Sequence, residues 1–387
     1  MKGAISYAEY RTDDARLTIE LIKAARRHGA EALNYMALDR IENDEAEGMR
    51  LHCSDKLDGT SYVFDARAVV SAAGPWVDKV RGISEQATSK KLHLTKGVHV
   101  VVHKKELPVR SPIYFDTKDG RMIFVIPRDK VCYIGTTDTD YHGDLDNVLC
   151  TKEDALYLLD NVNSYFEGIS ISLANVISSW AGLRPLIKEE GKGPTELSRK
   201  DEIFIDSNGL ISMAGGKLTG FRMMAKKLVD LLQDKGMVNG LKKCLTRDYQ
   251  IHADPFGSYE EYQAYVNKLI NSFGTLGLNY DTSKYLVDNY GKNAASILSD
   301  IDQSNDDFDE ALIRKEILFT IRYEASVRPD DFFNRRSGLL YFYPERISKY
   351  KDVVIDTFAE YFQWDPKFKD RQTLVMMKLI NDSINIV

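Results

Sequence analysis

The stretch AGGKLTGF, residues 214–221, sets two glycines, a lysine and a threonine just before a helix-like run. The first N–H groups of a helix carry partial positive charge, so this start suits an anion or a ring that becomes anionic on reduction. It is not a Walker A loop: Ile211 stands where the first glycine is needed, and Leu218 follows Lys217. Arg184, in SWAGLRPL beside Gly182 and Pro185, is a second candidate. A guanidinium in such a shaped segment can grip a phosphate or carboxylate through two parallel hydrogen bonds. His99 lies in TKGVHVVVH, where alternation puts His99, Val101 and His103 on one face of a strand. It reads as a general base or as a core histidine. The run TTDTDY, residues 136–141, offers hydroxyls and carboxylates to a pocket, or is simply a polar strand end.

Composition narrows the classes. The 387 residues are 43% hydrophobic and 28% charged, with a net charge of −6 and no long basic block. Nucleic-acid binding has little electrostatic support in such a chain. Cys53, Cys132, Cys150 and Cys244 are scattered without zinc spacing, which reads as reduced thiols of a cytoplasmic protein. The acidic run from Asp300 to Glu310 is no EF-hand, since Asn305 stands at the glycine position and Ala311 at the final glutamate. No apolar run approaches the roughly 18–20 residues of a spanning helix.

Positioning elements follow from periodicity. Asp13 or Asp14 caps a helix ending at Gly29, with Leu17, Leu21 and Ala24 on one face. AEALNYMAL, residues 30–38, reads as a strand. RAVVSAA, residues 67–73, reads as a buried strand running into the Gly74-Pro75-Trp76 turn and a helix near Val77. Four strand-like segments between Leu92 and Asp140 are joined by short turns that favour antiparallel pairing. Thr151 and Asp154 make a capping box. EIFIDSNGLISMAGG is a hairpin entering the AGGKLTGF stretch, where Thr219 caps a helix that buries Phe221, Ala225, Leu228 and Leu232. Beyond about residue 240 the pattern is helical and aromatic.

Together these segments resemble the FAD-dependent glycerol-3-phosphate dehydrogenases. YRTDDARL, AAGPWVDKV, LTKGVHVVV, DGRMIFVIPR, YIGTTDTDY, SSWAGLRPLI, SRKDEIF and GLISMAGGKLTGFRMMA occur in that family's order, and IRYEASVRPDDFFNRRSGLLYF resembles its C-terminal helical domain. The resemblance implies an α/β and α+β chain. Residues 1–90 and 181–240 belong to an FAD-binding domain, 91–180 to an antiparallel-sheet substrate domain, and 241–387 to a helical domain. It implies oxidation of sn-glycerol 3-phosphate, with hydride passing from C2 to flavin N5 and electrons going to a quinone, or to oxygen in the oxidase branch. Ala73, Gly74, Trp76, Gly215, Gly216, Lys217, Leu218 and Thr219 would border FAD. Arg184 and Lys217 would take the substrate phosphate, His99 would serve as base or orient the hydroxyl, and Arg121 and Thr137 would line the pocket. Peripheral contact with the inner face of the membrane and a homodimer stay open.

The family's opening G-x-G-x-x-G does not occur in these 387 residues. The nearest match, Gly191-Lys192-Gly193, lies in a polar stretch. The expectation is therefore an FAD-binding domain lacking its first dinucleotide-binding unit, and a chain that alone is inactive or a non-catalytic fragment. Purified protein should show little flavin absorbance; a near-stoichiometric flavin band would overturn that expectation.

Overall fold

The computed structural model describes residues 3–44, 48–83, 92–187, 201–299, 301 and 307–386. The chain divides into two compact units, Met1–Ala32 with Gln250–Leu379, and Leu33–Tyr249 with Ile380–Val387. The stretch containing Gly191-Lys192-Gly193 and most of the acidic run after Asp300 lie outside the described residues.

Among the described residues, twelve strands build the second unit. They are β1 (Met36–Asp44), β2 (Gly48–Asp55), β3 (Ser61–Ala66), β4 (Val70–Ser71), β5 (Leu92–His103), β6 (Ile113–Asp116), β7 (Met122–Arg128), β8 (Val131–Gly135), β9 (Thr139–Asp140), β10 (Val176–Ile187), β11 (Asp201–Ile205) and β12 (Ile211–Gly215). The central sheet runs β10-β5-β8-β7-β6, with β9 also on β5, and every pairing is antiparallel. Alternation gives this sheet two different faces. Val98, Val100, Val102, Ile123, Val125 and Ile134 turn to one side and pack on Leu158, Leu159 and Val162 of the helix Lys152–Tyr165. Each such fully buried aliphatic side chain contributes about 1.5–3 kcal/mol. The helix begins in the expected capping box of Thr151 and Asp154. His99, Val101 and His103 alternate with the buried valines and so turn to the opposite face.

A smaller sheet, β11-β12-β4, contains the expected hairpin and a parallel pair, β12 with β4. Here β4 is only two residues long and Val70 is 37% exposed, so RAVVSAA is not the fully buried strand its apolar pattern suggests. The stretch AEALNYMAL becomes strand only from Met36, because Tyr35 takes a left-handed φ of 57° that breaks the extended run. A third sheet, β1-β2-β3, is antiparallel.

The other unit is helical, with Asp14–Arg27, Tyr259–Phe273, Tyr280–Tyr290, Phe308–Glu324, Pro344–Phe362 and most of Pro366–Ile384 its longer helices. Asp13 caps the first by accepting from the Arg16 amide at 3.1 Å, and Gly29 follows its end with φ 88°. Its buried residues are Arg16, Ile19 and Ala24, so the inward face includes an arginine that a hydrophobicity pattern assigns to solvent. Arg16 is inside because it forks onto the Glu324 carboxylate, Nη1 at 2.7 Å and Nη2 at 2.9 Å, with Lys23 at 3.3 Å. Burial alone would push the Glu324 carboxyl up. The Arg16 hydrogen bond and the charges of Arg16 and Lys23 outweigh it and hold the group below its ordinary value of 4.5. A depressed carboxylate adds stability above its unfolded pKa and loses it as pH falls through the folded one. Arg16→Met should therefore cost about 3–5 kcal/mol at pH 7 by leaving a buried carboxylate poorly paired. The loss should shrink when Glu324 is protonated, as urea denaturation at pH 7 and near pH 4 would show. An equal loss at both pH values would count against the ion pair as the cause.

Candidate active site

The longest strand pair, β5 with β10, carries most of the predicted polar site. Its register sets Trp180 opposite His99, Gly182 opposite Gly97 and Arg184 opposite Thr95. On the other edge of β5, Gly135 at the end of β8 faces His99. The His99 ring stacks on Trp180 with centroids 4.7 Å apart and planes within 16°, and Phe124 and Tyr133 close around it at 5.5 and 6.5 Å. His99 keeps some exposed surface, yet its Nδ1 is enclosed without a hydrogen-bond partner. Burial, with the Arg184 charge nearby, pulls the imidazole pKa down to about 3. The ring is therefore neutral at physiological pH, and the same burial that opposes the imidazolium makes it a weak proton acceptor in this state.

Arg184 is held by the 136–138 run. Nη1 donates to the Thr137 carbonyl at 3.0 Å and to Asp138 Oδ1 at 3.3 Å, and Nη2 donates to the Thr136 hydroxyl at 2.9 Å. The guanidinium lies over Gly97, two residues along β5 from His99. The run TTDTDY thus supplies the polar groups that aim the cation. Thr137 is buried and its hydroxyl is spent on backbone, accepting from Val98 N at 3.1 Å and donating to Lys96 O at 3.3 Å. The structure gives Thr137 a positioning place, behind Arg184.

Arg121 is not brought to this group. It has the parity of Ile123 and Val125, whose side chains pack on the helix-covered face, away from His99. Its guanidinium stacks over Tyr157 of the covering helix at 5.3 Å and pairs with Asp119 at 3.6 Å. Strand parity at the hairpin end was the signal that would have excluded it.

The remaining candidates gather where β10, β12 and the 74–76 turn meet. Val77, Ile187, Phe204 and Ala214 form one apolar cluster, against which Ala73 also packs. Arg184 lies three residues before Ile187, and Lys217 three residues after Ala214. Lys217 is exposed. Gly215 and Gly216 both take left-handed φ values, 75° and 76°, and Gly74 has φ 53°. A side chain on Gly74 would meet nothing within 4 Å, so bare backbone faces open space there. Trp76 is 38% exposed and anchored by its indole N–H on Asp146 at 2.7 Å. The helix behind this turn, Val77–Ile83, is pinned by buried Arg81, whose Nη2 lies 3.1 Å from Asp206.

The Thr219 expectation needs correcting. Thr219 sits inside a 3-10 turn, Leu218–Gly220, whose cap is Lys217 in extended backbone, and Gly220 precedes the α-helix Phe221–Asp234. The double glycine turns the chain early enough for helical geometry to begin at Leu218. The N–H groups of Leu218 and Thr219 therefore lead the turn and have no acceptor within it. Nor does the helix bury its stripe: Ala225 is exposed, and Phe221, Leu228 and Leu232 are half-buried.

The donor set fits the ring side of a flavin, with left-handed glycines, open backbone at Gly74 and a helical N-terminus at the end of β12. Buried Ser71 and Ser212 hydroxyls, cross-strand partners on β4 and β12, lack hydrogen-bond partners. No group of three or more His, Cys, Asp or Glu residues suited to a metal occurs among the described residues. No described helix is long and apolar enough to cross a membrane. The His99 C2 proton resonance should show no titration between pH 5 and 8. In Arg184→Met its pKa should rise, since a nearby positive charge no longer opposes protonation, but stay below the ordinary value because burial persists. A pKa unchanged or lowered in that variant would refute the coupling.

Residues 1–225 match the model of the FAD dependent oxidoreductase family, and residues 244–369 match the C-terminal domain of alpha-glycerophosphate oxidase. The aerobic glycerol-3-phosphate dehydrogenase of Bacillus subtilis (strain 168) is 39% identical over 391 residues, covering 99% of this chain and 70% of that protein. That of Staphylococcus aureus (strain USA300) is 41% identical over 378 residues, covering 95% and 67%. The structure of glycerol-3-phosphate dehydrogenase from Bacillus halodurans complexed with FAD superposes with a TM-score of 0.88 at 36% identity, covering 98% of this chain and 75% of that one. With the family match starting at residue 1, these comparisons do not establish the expected lack of an N-terminal unit. The ordered motifs, the geometry around Arg184 and His99, and these matches lead to one conclusion: the chain belongs to the FAD-dependent glycerol-3-phosphate dehydrogenases.

Proposed function

We propose that this chain oxidises sn-glycerol 3-phosphate to dihydroxyacetone phosphate, with FAD as cofactor. The observation that carries the reading is Arg184, aimed by Thr136, Thr137 and Asp138 and lying across Gly97 beside a neutral, half-enclosed His99. Such a guanidinium suits a phosphate through charge-assisted hydrogen bonds. Lys217, at the mouth of the neighbouring strand-to-helix turn, is the second cation for a group that carries nearly two negative charges. With the phosphate so held, His99 accepts the C2 hydroxyl proton as the carbonyl forms. The aromatic wall of Trp180, Phe124 and Tyr133 limits water around the imidazole.

Ala73, Gly74, Trp76, Gly215, Gly216, Leu218 and Thr219 would border the cofactor. FAD, when bound, supplies the hydride acceptor. The N-terminal N–H groups of the 218–220 turn stabilise negative charge placed against them. Because these 387 residues contain no G-x-G-x-x-G, ring-side contacts would carry most of the affinity and FAD would be held weakly. The substrate domain is read as 91–180 between FAD-binding segments 1–90 and 181–240, ahead of the helical 241–387. The electron acceptor is read as a quinone, met through peripheral membrane contact. Hydrogen peroxide produced in step with turnover would make the protein an oxidase instead.

Supplied with excess FAD and an artificial electron acceptor, the purified chain should turn over sn-glycerol 3-phosphate, and the expectation of an inactive chain then holds only for the protein without added FAD. Arg184→Met should raise KM roughly ten- to hundred-fold, the worth of a charge-assisted hydrogen-bond set. No turnover by the FAD-supplied wild type, or an unchanged KM in the variant, would sink the reading.

A further inference from the structure

Two glycines of the central sheet touch the site without contributing a side chain to it. A Cβ built on Gly97 would lie 2.5 Å from Nη2 and 2.7 Å from both Cζ and Nη1 of Arg184. One built on Gly135 would overlap Cδ2 of His99 and lie 2.8 Å from its Nε2 and 2.9 Å from Cζ of Phe124. Neither glycine is among the left-handed residues, so φ does not demand glycine at either position. The space above each is what excludes a side chain. Gly182 is the contrast: it pairs with Gly97 across the β5–β10 ladder, yet a Cβ there meets nothing within 4 Å.

We propose that Gly97 and Gly135 are positioning residues, Gly97 the seat of the phosphate-binding Arg184 guanidinium and Gly135 the seat of the His99 imidazole. The proposal rests on the roles given to Arg184 and His99 above. A long side chain crossing a β-strand needs a place where no Cβ rises from the pleat, and Gly97 provides it two residues from His99. Thr136, Thr137 and Asp138 then hold the guanidinium from its far side. At Gly135 the missing Cβ lets the imidazole lie against the end of β8 while Trp180 covers its other face. The two seats divide the site by task. A methyl group at 97 lifts the cation, which is the far end of a flexible side chain and can move without unfolding the sheet. A methyl group at 135 presses on a ring already packed between aromatic neighbours.

The test compares Gly97→Ala, Gly135→Ala and Gly182→Ala with the wild-type chain. It uses calorimetric binding of sn-glycerol 3-phosphate, FAD-supplied turnover against pH, and thermal unfolding. In Gly97→Ala, Kd should rise roughly ten-fold or more while saturated turnover and its pH profile change little, because a lost charged contact weakens ground-state binding. In Gly135→Ala, kcat should fall roughly a hundred-fold, the size of effect expected from a misplaced base, with Kd near wild type and a shifted pH profile. Gly182→Ala should match wild type in every measurement. Each glycine substitution is repeated on a background without its tenant, Gly97→Ala with Arg184→Ala and Gly135→Ala with His99→Ala. There the alanine should no longer lower the thermal midpoint, since the clash has gone. Unchanged Kd in Gly97→Ala, unchanged kcat in Gly135→Ala, or equal destabilisation with and without the tenant side chain overturns the proposal. If the wild type neither binds nor oxidises sn-glycerol 3-phosphate, the functional reading fails, and the paired-background comparison still decides whether the glycines are seats.

Discussion

The pairing of β5 with β10 is the constraint from which the candidate site follows. Eleven cross-strand partners, from Val176 with Val102 to Ile187 with Leu92, fix the register. A slip of one residue would reverse the faces: His99 would enter the valine core and Arg184 would lose its place over Gly97. The register is secured by the apolar face. Val98, Val100 and Val102 are fully buried against the helix Lys152–Tyr165, and no other alternation of this strand gives that core. Hydrophobic packing on one side of the sheet therefore sets the chemistry on the other.

The joint at the 74–76 turn depends on a second set of contacts. Buried Arg81 reaches Asp206 beyond β11 and stacks over Phe204 at 4.6 Å, tying the helix after Trp76 to the β11–β12 hairpin. Val77, Ile187 and Ala214 close the same joint with apolar contacts. A buried guanidinium is tolerable there only because a buried carboxylate faces it. The joint brings the 74–76 turn, the end of β10 and the glycine pair after β12 together, although they are distant in sequence. Arg16 with Glu324 is the corresponding device in the helical unit, joining positions 308 residues apart.

Much of this was legible from residue order. The antiparallel strands between Leu92 and Asp140, the Thr151 capping box and the β11–β12 hairpin each rest on local periodicity or local hydrogen bonds and appear as read, and of the two caps the sequence offers the first helix uses Asp13. The misreadings arise where tertiary contacts overrule the local pattern. Thr219 has the chemistry of a cap, but two left-handed glycines start the turn one step sooner. The helix after it has a clean apolar stripe that finds only partial cover. Arg16 looks like a solvent residue until Glu324 is placed beside it. Arg121 sits in a family motif, yet strand parity sends it to the helix-covered face.

By itself the sequence determined the family, the alternation that separates the valine face from the His99 face, and the residues able to carry an anion site. These follow from period-2 burial and from motif order, which need no knowledge of what lies across the chain. Only the tertiary structure decided that Thr136, Thr137 and Asp138 aim Arg184, that Trp180 stacks on His99, and that Gly97 and Gly135 are bare because those side chains lie over them. Each depends on which residue stands opposite on a neighbouring strand. That is set by register and packing between residues 36 to 87 positions apart, and no local pattern encodes it.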